Sequence, residues 1–247
     1  MVGTLGKVLT MNKYEYISTE IRNRIKQDVY PLDQPIPDEY SLAKEFDCSR
    51  VTMKRALDIL VKEGLLYRKR GHGTFIIKPP FEDDKVNIIS EENMGLSTLA
   101  HDQEVRSQVI TFEIQFPSEL VANQLRIDMD TPVYHIIRLR IVNNEPYVIE
   151  ETYMPANLIP GINDAVLHSS IYKHIKETLE LKVGGAHRKI RACKSNKLDQ
   201  EYLGCKADDP ILEVEQVAFL ITGIPFEYSF SRHHYDKFVF TTVTVNR

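Results

Sequence analysis

Residues 49–77, Ser49-Arg50-Val51-Thr52-Met53-Lys54-Arg55-Ala56-Leu57-Asp58-Ile59-Leu60-Val61-Lys62-Glu63-Gly64-Leu65-Leu66-Tyr67-Arg68-Lys69-Arg70-Gly71-His72-Gly73-Thr74-Phe75-Ile76-Ile77, decide how the N-terminal part of this chain folds. Met53, Ala56, Leu57, Leu60 and Val61 recur at i, i+3, i+4, i+7 and i+8, the apolar stripe of an amphipathic helix. Ser49 is suited to cap its start and Gly64 to end it. Arg55, Asp58 and Lys62 lie opposite the stripe, while Arg50 and Lys54 flank its first turns. Two short apolar strands are expected next, over residues 65–67 and 74–77. Between them Arg68-Lys69-Arg70-Gly71-His72-Gly73 forms a hairpin tip with three cations and two glycines.

Upstream, Asp47-Cys48 reads as a tight connection, because Asp tolerates a left-handed backbone. Before it, Leu42, Ala43 and Phe46 belong to a short helix that Asp38 can cap. Pro31, Pro35 and Pro37 separate this from a first helix whose apolar face carries Tyr14, Ile17, Ile21 and Ile25. Helix, short helix, tight turn, capped helix and basic hairpin together make a winged helix-turn-helix. Such a domain needs base-reading side chains on the early turns of a helix with a solid apolar back. Arg50, Lys54 and Arg55 supply the first. Arginine can place two parallel bonds on guanine O6 and N7, and lysine delivers a point charge. A glycine-tipped wing can approach the sugar-phosphate backbone closely. Residues 1–12 are expected to be a disordered lead-in, with Met11 as good a start as Met1.

The 247 residues carry a net charge of −4, but unevenly. Residues 1–80 hold 14 Lys and Arg against 10 Asp and Glu; residues 81–247 hold 17 against 25. Only the N-terminal third has a balance that favours a polyanion. Cys48, Cys193 and Cys205 are widely spaced with no CxxC pair, which reads as reduced thiols and a cytoplasmic location. No apolar run approaches the ~18 residues of a membrane span, and no signal peptide is evident. His233 and His234, adjacent on a strand, point to opposite faces, and no HExxH or Cys cluster is present, so neither metal nor cofactor is expected.

Lys78-Pro79-Pro80 followed by Glu82-Asp83-Asp84 marks a boundary, giving a DNA-binding domain over 13–78, a linker over 79–90 and a second domain over 91–247. The second domain reads mainly as strands over 105–116, 133–142, 147–154, 188–194, 211–221, 226–235 and 238–245, with helices over 118–125, 170–179 and 198–204. Long strands joined by tight turns make this an antiparallel sheet with packed helices, so the fold class is α+β. Arg138 and Arg140 point to one face of their strand and need an anionic partner. If Asn143-Asn144 is a two-residue loop, Glu151 reaches that face; a three-residue loop including Glu145 sets Glu150 opposite Arg138. Ser170, at the mouth of a helix containing Tyr172, suits a phosphate or an ordinary cap. Glu227 could accept sugar hydroxyls.

Ile36-Pro37-Asp38-Glu39, Phe46, Ser49-Arg50-Val51-Thr52-Met53-Lys54, Ala56-Leu57, Glu63-Gly64-Leu65 and Arg70-Gly71-His72-Gly73-Thr74-Phe75 resemble the signature of the GntR family of transcription regulators. The resemblance implies base contacts from Arg50 and Lys54 and a wing centred on Gly71, His72 and Gly73. Ser49, Thr52, Arg55, Arg68, Arg70 and Thr74 complete the candidate DNA surface. Where the family usually carries arginine, this chain has Lys54 and, at the start of the second helix, Tyr40, which implies a softer base preference.

Residues 85–245 resemble, more loosely, the UTRA effector-binding domain of the HutC subfamily, through Arg138-Leu139-Arg140, Pro146 to Pro155, Ser170-Ile171-Tyr172 and Pro225-Phe226-Glu227. That resemblance implies that Arg138, Arg140, Ser170 and Tyr172 gather an anionic group and that Glu150 and Glu227 bind the sugar side. Ser97 and Thr98 correspond to a further contributing loop, and His233 stands where an aromatic hydroxyl is expected. The expectation is a ligand-responsive repressor, homodimeric on a palindromic operator in double-stranded DNA, with a phosphorylated sugar as effector. The alternatives are an organic acid such as an imidazole acid, a chorismate-lyase-like enzyme domain fused to a DNA-binding module, and an architectural DNA-binding protein with no ligand.

Overall fold

The computed structural model describes residues 12–77 and 104–239, which fall into two compact units. Ser97, Thr98, the Pro79-Pro80 linker and all but the first two residues of the strand expected at 238–245 lie outside the described residues.

In the first unit, α1 (Lys13–Lys26), α2 (Glu39–Glu45) and α3 (Arg50–Lys62) precede a hairpin of β1 (Leu66–Lys69) and β2 (Gly73–Ile76). The expected stripes meet in one core: Ile17 and Ile21 from α1, Leu42 from α2, Met53, Ala56, Leu57 and Leu60 from α3, closed by Leu66 and Ile76. Asp38 and Ser49 cap α2 and α3 by accepting the backbone N–H of Ser41 and Thr52. Asp47 adopts the left-handed backbone, with φ 46°. The hairpin strands differ in extent from expectation, because Lys69 pairs with Gly73 and Leu65 lies outside. The tip is thereby shortened to Arg70-Gly71-His72. Gly73, at φ 107°, lies so close to Pro35 that a Cβ there would stand 2.9 Å from the proline's own. Ile36 donates to the Thr74 carbonyl (2.8 Å), so the proline segment packs along the wing.

The second unit is built on β3 (Val105–Gln115), β4 (Val133–Val142), β5 (Glu145–Pro155), β6 (Val183–Lys194), β7 (Pro210–Leu220) and β8 (Pro225–His234). They form one six-stranded antiparallel sheet in the order β3-β4-β5-β8-β7-β6. One face carries α5 (Asp164–His168), α6 (Ile171–Lys173) and a π-helical turn (His174–Thr178), whose Leu167, Ile171 and Ile175 pack on Tyr134, Ile136, Met154 and Ala218. The other carries α4 (Glu119–Leu125) and α7 (Lys197–Tyr202), packed through Leu125 and Leu198 on Val133, Tyr228, Ile137 and Ile149. The fold class is therefore α+β, as the sequence implies. Three details depart from expectation: α5 was not anticipated, the helix expected over 170–179 changes to π geometry at His174, and β6 begins at Val183 rather than Arg188. Phe238 and Val239 are not in a strand.

Candidate functional site

On the first unit, Arg50 and Lys54 stand exposed on the first turns of α3. Arg50 lies beside the N-terminus of α2. The Asp38 carboxyl is held below its ordinary range, chiefly by the Ser41 N–H and hydroxyl and also by the Arg50 charge. Ser49 and Thr52 are occupied with each other: the Ser49 hydroxyl accepts the Thr52 N–H (3.1 Å) and meets the Thr52 hydroxyl at 2.8 Å. Tyr40 is exposed on α2. Arg70, Gly71 and His72 form the exposed tip, where His72 N–H donates to the Lys69 carbonyl (2.9 Å). Thr74 sits half-buried on β2.

Two candidate cations, though exposed, are engaged by other elements of the unit. The Arg55 guanidinium lies over the Tyr14 ring, 3.9 Å from its centre, a cation–π contact that fastens α3 to α1. Arg68 ion-pairs with Asp58 of α3 and, at 3.4 Å, with Glu39 of α2, which ties the wing to the helix-turn-helix. Arg50, Lys54 and Arg55 are thus the exposed cations on the early turns of α3, Arg55 engaged with Tyr14, and Arg70 is exposed at the wing.

On the second unit the expected effector residues converge. Cross-strand register aligns Arg138 with Glu150, Ser231 and Val214, and the next row aligns Thr152, Ser229, Gln216 and Arg188. Arg140, Val148 and His233 form the row on the other side. All face the helix α5–α6 side. Arg138 and Arg140, 5% and 3% exposed, share the Glu150 carboxylate, at 2.7 and 3.4 Å. Arg138 also donates to the Leu167 carbonyl at the end of α5 (3.0 Å). Burial alone would push the Glu150 carboxyl up, but the guanidiniums of Arg140 and Arg138 outweigh it and hold it below its ordinary value. Burial pulls Arg138 down, against the opposing pull of Glu150.

The loop is neither of the two alternatives as stated. Asn143 and Asn144 have φ of 50° and 66°, a two-residue turn, yet Glu150 still opposes Arg138. A bulge explains both: Ile141 pairs with Pro146 but Arg140 with Val148, so Tyr147 is an extra residue that reverses the parity of β5. Glu151 faces the opposite side, against His135 (3.0 Å) and Tyr153 (2.7 Å).

Beside the arginines lies a second carboxyl. Glu227 Oε1 accepts from Ser229 (2.6 Å) and Gln216 (2.9 Å), and Tyr172 hydrogen-bonds the same group. Gln216 is in turn held by Arg188 (2.7 Å). Burial pushes the Glu227 carboxyl up, only partly offset by Ser229, Tyr172 and Gln216. Tyr172 is itself raised by burial and by Glu227, so it stays a neutral hydroxyl. His233 is stacked on Phe238 (4.2 Å) and edge-on to Tyr147 (5.8 Å), and burial drives its imidazole down to about 3. Among the described residues, Glu227 Oε2, both His233 nitrogens, Tyr147 Oη and Ser107 Oγ are buried without a hydrogen-bond partner. Orphaned donors and acceptors on one sheet face are what a polar ligand would satisfy. Ser170 caps α6 by accepting the Lys173 N–H (3.2 Å), three residues beyond the Leu167 carbonyl that Arg138 holds.

Tyr147, Ser107, Gln216, Ser229 and Arg188 were not anticipated. Gln216 and Arg188 become visible only when β7 and β6 are placed in register with β8; Tyr147 depends on the bulge. A groove of about 400 Å³ lies nearer the β7–β8 turn, but Arg126 is its only charged lining residue. Among the described residues no helix is long and apolar enough to cross a membrane, and no cluster of three His, Cys, Asp or Glu could hold a metal ion.

Comparison with known proteins agrees with this division. Residues 13–76 match the family described as bacterial regulatory proteins, gntR family, and residues 100–239 match the UTRA domain. Over 237 residues, 96% of this chain and 100% of the relative, it is 67% identical to the HTH-type transcriptional regulator GmuR of Bacillus subtilis (strain 168). It is 28% identical over 232 residues to the mannosyl-D-glycerate transport/metabolism system repressor MngR of Escherichia coli (strain K12), covering 93% of this chain and 95% of the relative. The crystal structure of possible transcriptional regulator YydK from Bacillus subtilis superposes with a TM-score of 0.79 at 29% identity, over 96% of this chain and 100% of that one. The chain belongs to the GntR family of bacterial regulatory proteins, as a transcription regulator that joins a DNA-binding helix-turn-helix to a UTRA domain rather than as an enzyme.

Proposed function

We propose that the protein is a cytoplasmic repressor whose hold on a palindromic operator is set by a small anionic, hydroxyl-bearing metabolite of the sugar-phosphate class. The carrying observation is the buried pair Arg138 and Arg140 beside the unpartnered Glu227 oxygen. Guanidinium forks match phosphate geometry, and this pair is buried on one face of the sheet. Glu227, Tyr172 and His233 offer a neutral to weakly acidic wall that suits hydroxyl groups. Ser170 stands near enough in sequence to the Arg138 contact to join the anion end. The E. coli relative is named as the repressor of a mannosyl-D-glycerate transport/metabolism system, which supports repression as the sign of regulation.

Operator binding by fluorescence anisotropy tests this, using a duplex selected by the protein itself. Sugar phosphates should weaken binding where the unphosphorylated sugars do not. Release by organic acids alone would favour the second effector class, and indifference to every anion would overturn the reading.

A homodimer fits the same proposal, because one recognition helix reads few base pairs and two-fold symmetry matches a palindrome. Phe112 and Ile114 on the edge strand β3, and Phe116 just past its end, are exposed, apolar surface that a second copy would cover. Sedimentation of the full chain should give a dimer at micromolar concentration, and Ile114→Lys should shift it toward monomer; a monomeric wild type would sink the dimer.

A further inference from the structure

The centre of α3's outward face is occupied by an apolar residue, Val51, to which the family resemblance assigns no role. Met53, Ala56, Leu57 and Leu60 bury one side of the helix. At about 100° per residue, Val51 points roughly 170° away from the middle of that stripe. It is 79% exposed, the highest value among the large exposed hydrophobics of the described residues. A single exposed valine is unremarkable on a generic surface, so its surroundings decide. Arg50 precedes it and Lys54 stands one turn later, both exposed. Arg55, next to Lys54, is exposed but lies over the Tyr14 ring, and Asp58 is tied to Arg68. The first two turns therefore expose Arg50, Val51, Lys54 and Arg55, with Val51 the one apolar member.

A side chain on those turns meets base edges in the major groove. Valine has no hydrogen bond to offer there, and among the groups exposed on base pairs only the thymine C5 methyl is its apolar complement. We propose that Val51 is a specificity-determining residue that packs against a thymine methyl beside the bases addressed by Arg50 and Lys54. This rests on α3 being the base-reading helix. It makes each half-site carry a thymine recognised by shape rather than by hydrogen bonds. It also compensates for Lys54, which contributes a point charge where a forked arginine would discriminate more sharply.

The experiment removes the methyl from the DNA. A duplex is selected from random sequence by the full-length wild type. Each thymine of one half-site is then replaced singly by deoxyuridine, and affinity is measured at fixed salt for wild type, Val51→Ala and Arg50→Ala. One thymine should be sensitive, its replacement weakening wild type about fourfold, the factor expected for one buried methyl group. Val51→Ala should bind the thymine and deoxyuridine duplexes equally at that position while folding normally, since the site is on the surface. The proposal fails if no thymine is sensitive, or if Val51→Ala keeps the full deoxyuridine penalty while Arg50→Ala loses base discrimination. If neither variant alters discrimination, α3 is not the reading helix and both ideas fall together.

Discussion

Replacing Arg138 by Met leaves the Glu150 carboxylate buried with a poorer partner, and the consequence can be worked through. Glu150 loses its 2.7 Å bond and keeps Arg140 at 3.4 Å. Breaking a buried pair by removing one member typically costs about 3–5 kcal/mol, and the remaining arginine places this case near the lower end. At about 2–4 °C per kcal/mol for a chain of this size, the transition carrying residues 104–239 should fall by roughly 6–12 °C in calorimetry. Glu150→Gln in the same background removes the stranded charge but keeps its shape, so the double variant should recover about half of the loss. The sign with pH also follows. Glu150 is held below its ordinary value in the fold, so its contribution is present above the unfolded pKa of about 4.3 and is lost as pH falls through and below it. The gap between wild type and Arg138→Met should therefore narrow toward pH 4. If Arg138→Met melts within about 2 °C of wild type at pH 7, or the second substitution recovers nothing, then Arg138 and Glu150 do not depend on each other. In that case the site's electrostatics have been misassigned.

Arg50→Ala should cost about 1–3 kcal/mol on the selected operator and flatten discrimination at one position, read by competition against single-base variants. Arg70→Ala should weaken all sequences alike and lower the slope of log affinity against log salt by about one unit, whereas Arg68→Ala should leave that slope unchanged because its charge is spent on Asp58 and Glu39. Gly73→Ala should lower the melting temperature by several degrees through a φ of 107° and a 2.9 Å approach to Pro35, at about 1–3 kcal/mol; a neutral substitution would mean the wing is not seated there. His233 refuses a proton until about pH 3 in the fold, while the unfolded chain takes one up near 6.5, so stability falls as pH drops below 6.5. The difference in urea stability between wild type and His233→Gln should shift by about 2 kcal/mol from pH 7 to pH 5; a constant difference would place His233 in contact with water.

What was legible in the sequence was whatever is decided within a turn or two of chain. The α3 stripe, the Ser49 and Asp38 caps and the left-handed Asp47 all follow from neighbours within four residues, and all are present. The sheet's strands were legible from β-branched and aromatic runs, but not where β6 begins. The strand expected from residue 188 begins at Val183 and takes in Gly184 and Gly185. A Cβ on Gly184 would stand 2.7 Å from the Leu220 carbonyl and one on Gly185 2.9 Å from the Phe219 ring. Those glycines permit close approach to β7, a partner more than thirty residues away. The change from α to π geometry at His174 had no local signal in residue type that we can identify.

The sites were legible by residue type but not by partner, and partner is what assigns a role. Arg55 and Arg68 look like DNA-facing cations in a list of charges. One is exposed but lies over a ring from α1, and the other is ion-paired with two helices, so Arg68 adds less outward charge than composition implies. The same limit governs the effector face. Side chains alternate strictly along a strand, so a single inserted residue exchanges the two faces for everything beyond it. Tyr147 is that residue. Without it, Glu151 would meet the arginines and Glu150 would turn toward His135. With it, Glu150 is shared by Arg138 and Arg140, and Glu151 is held by His135 and Tyr153. Nothing in the local composition distinguishes the two outcomes, because both glutamates have a basic partner waiting on either face. The bulge is favoured by what it buries together: two arginines with a carboxylate on the side that packs against α5 and α6, and an imidazole stacked at 4.6 Å on Tyr153 on the other.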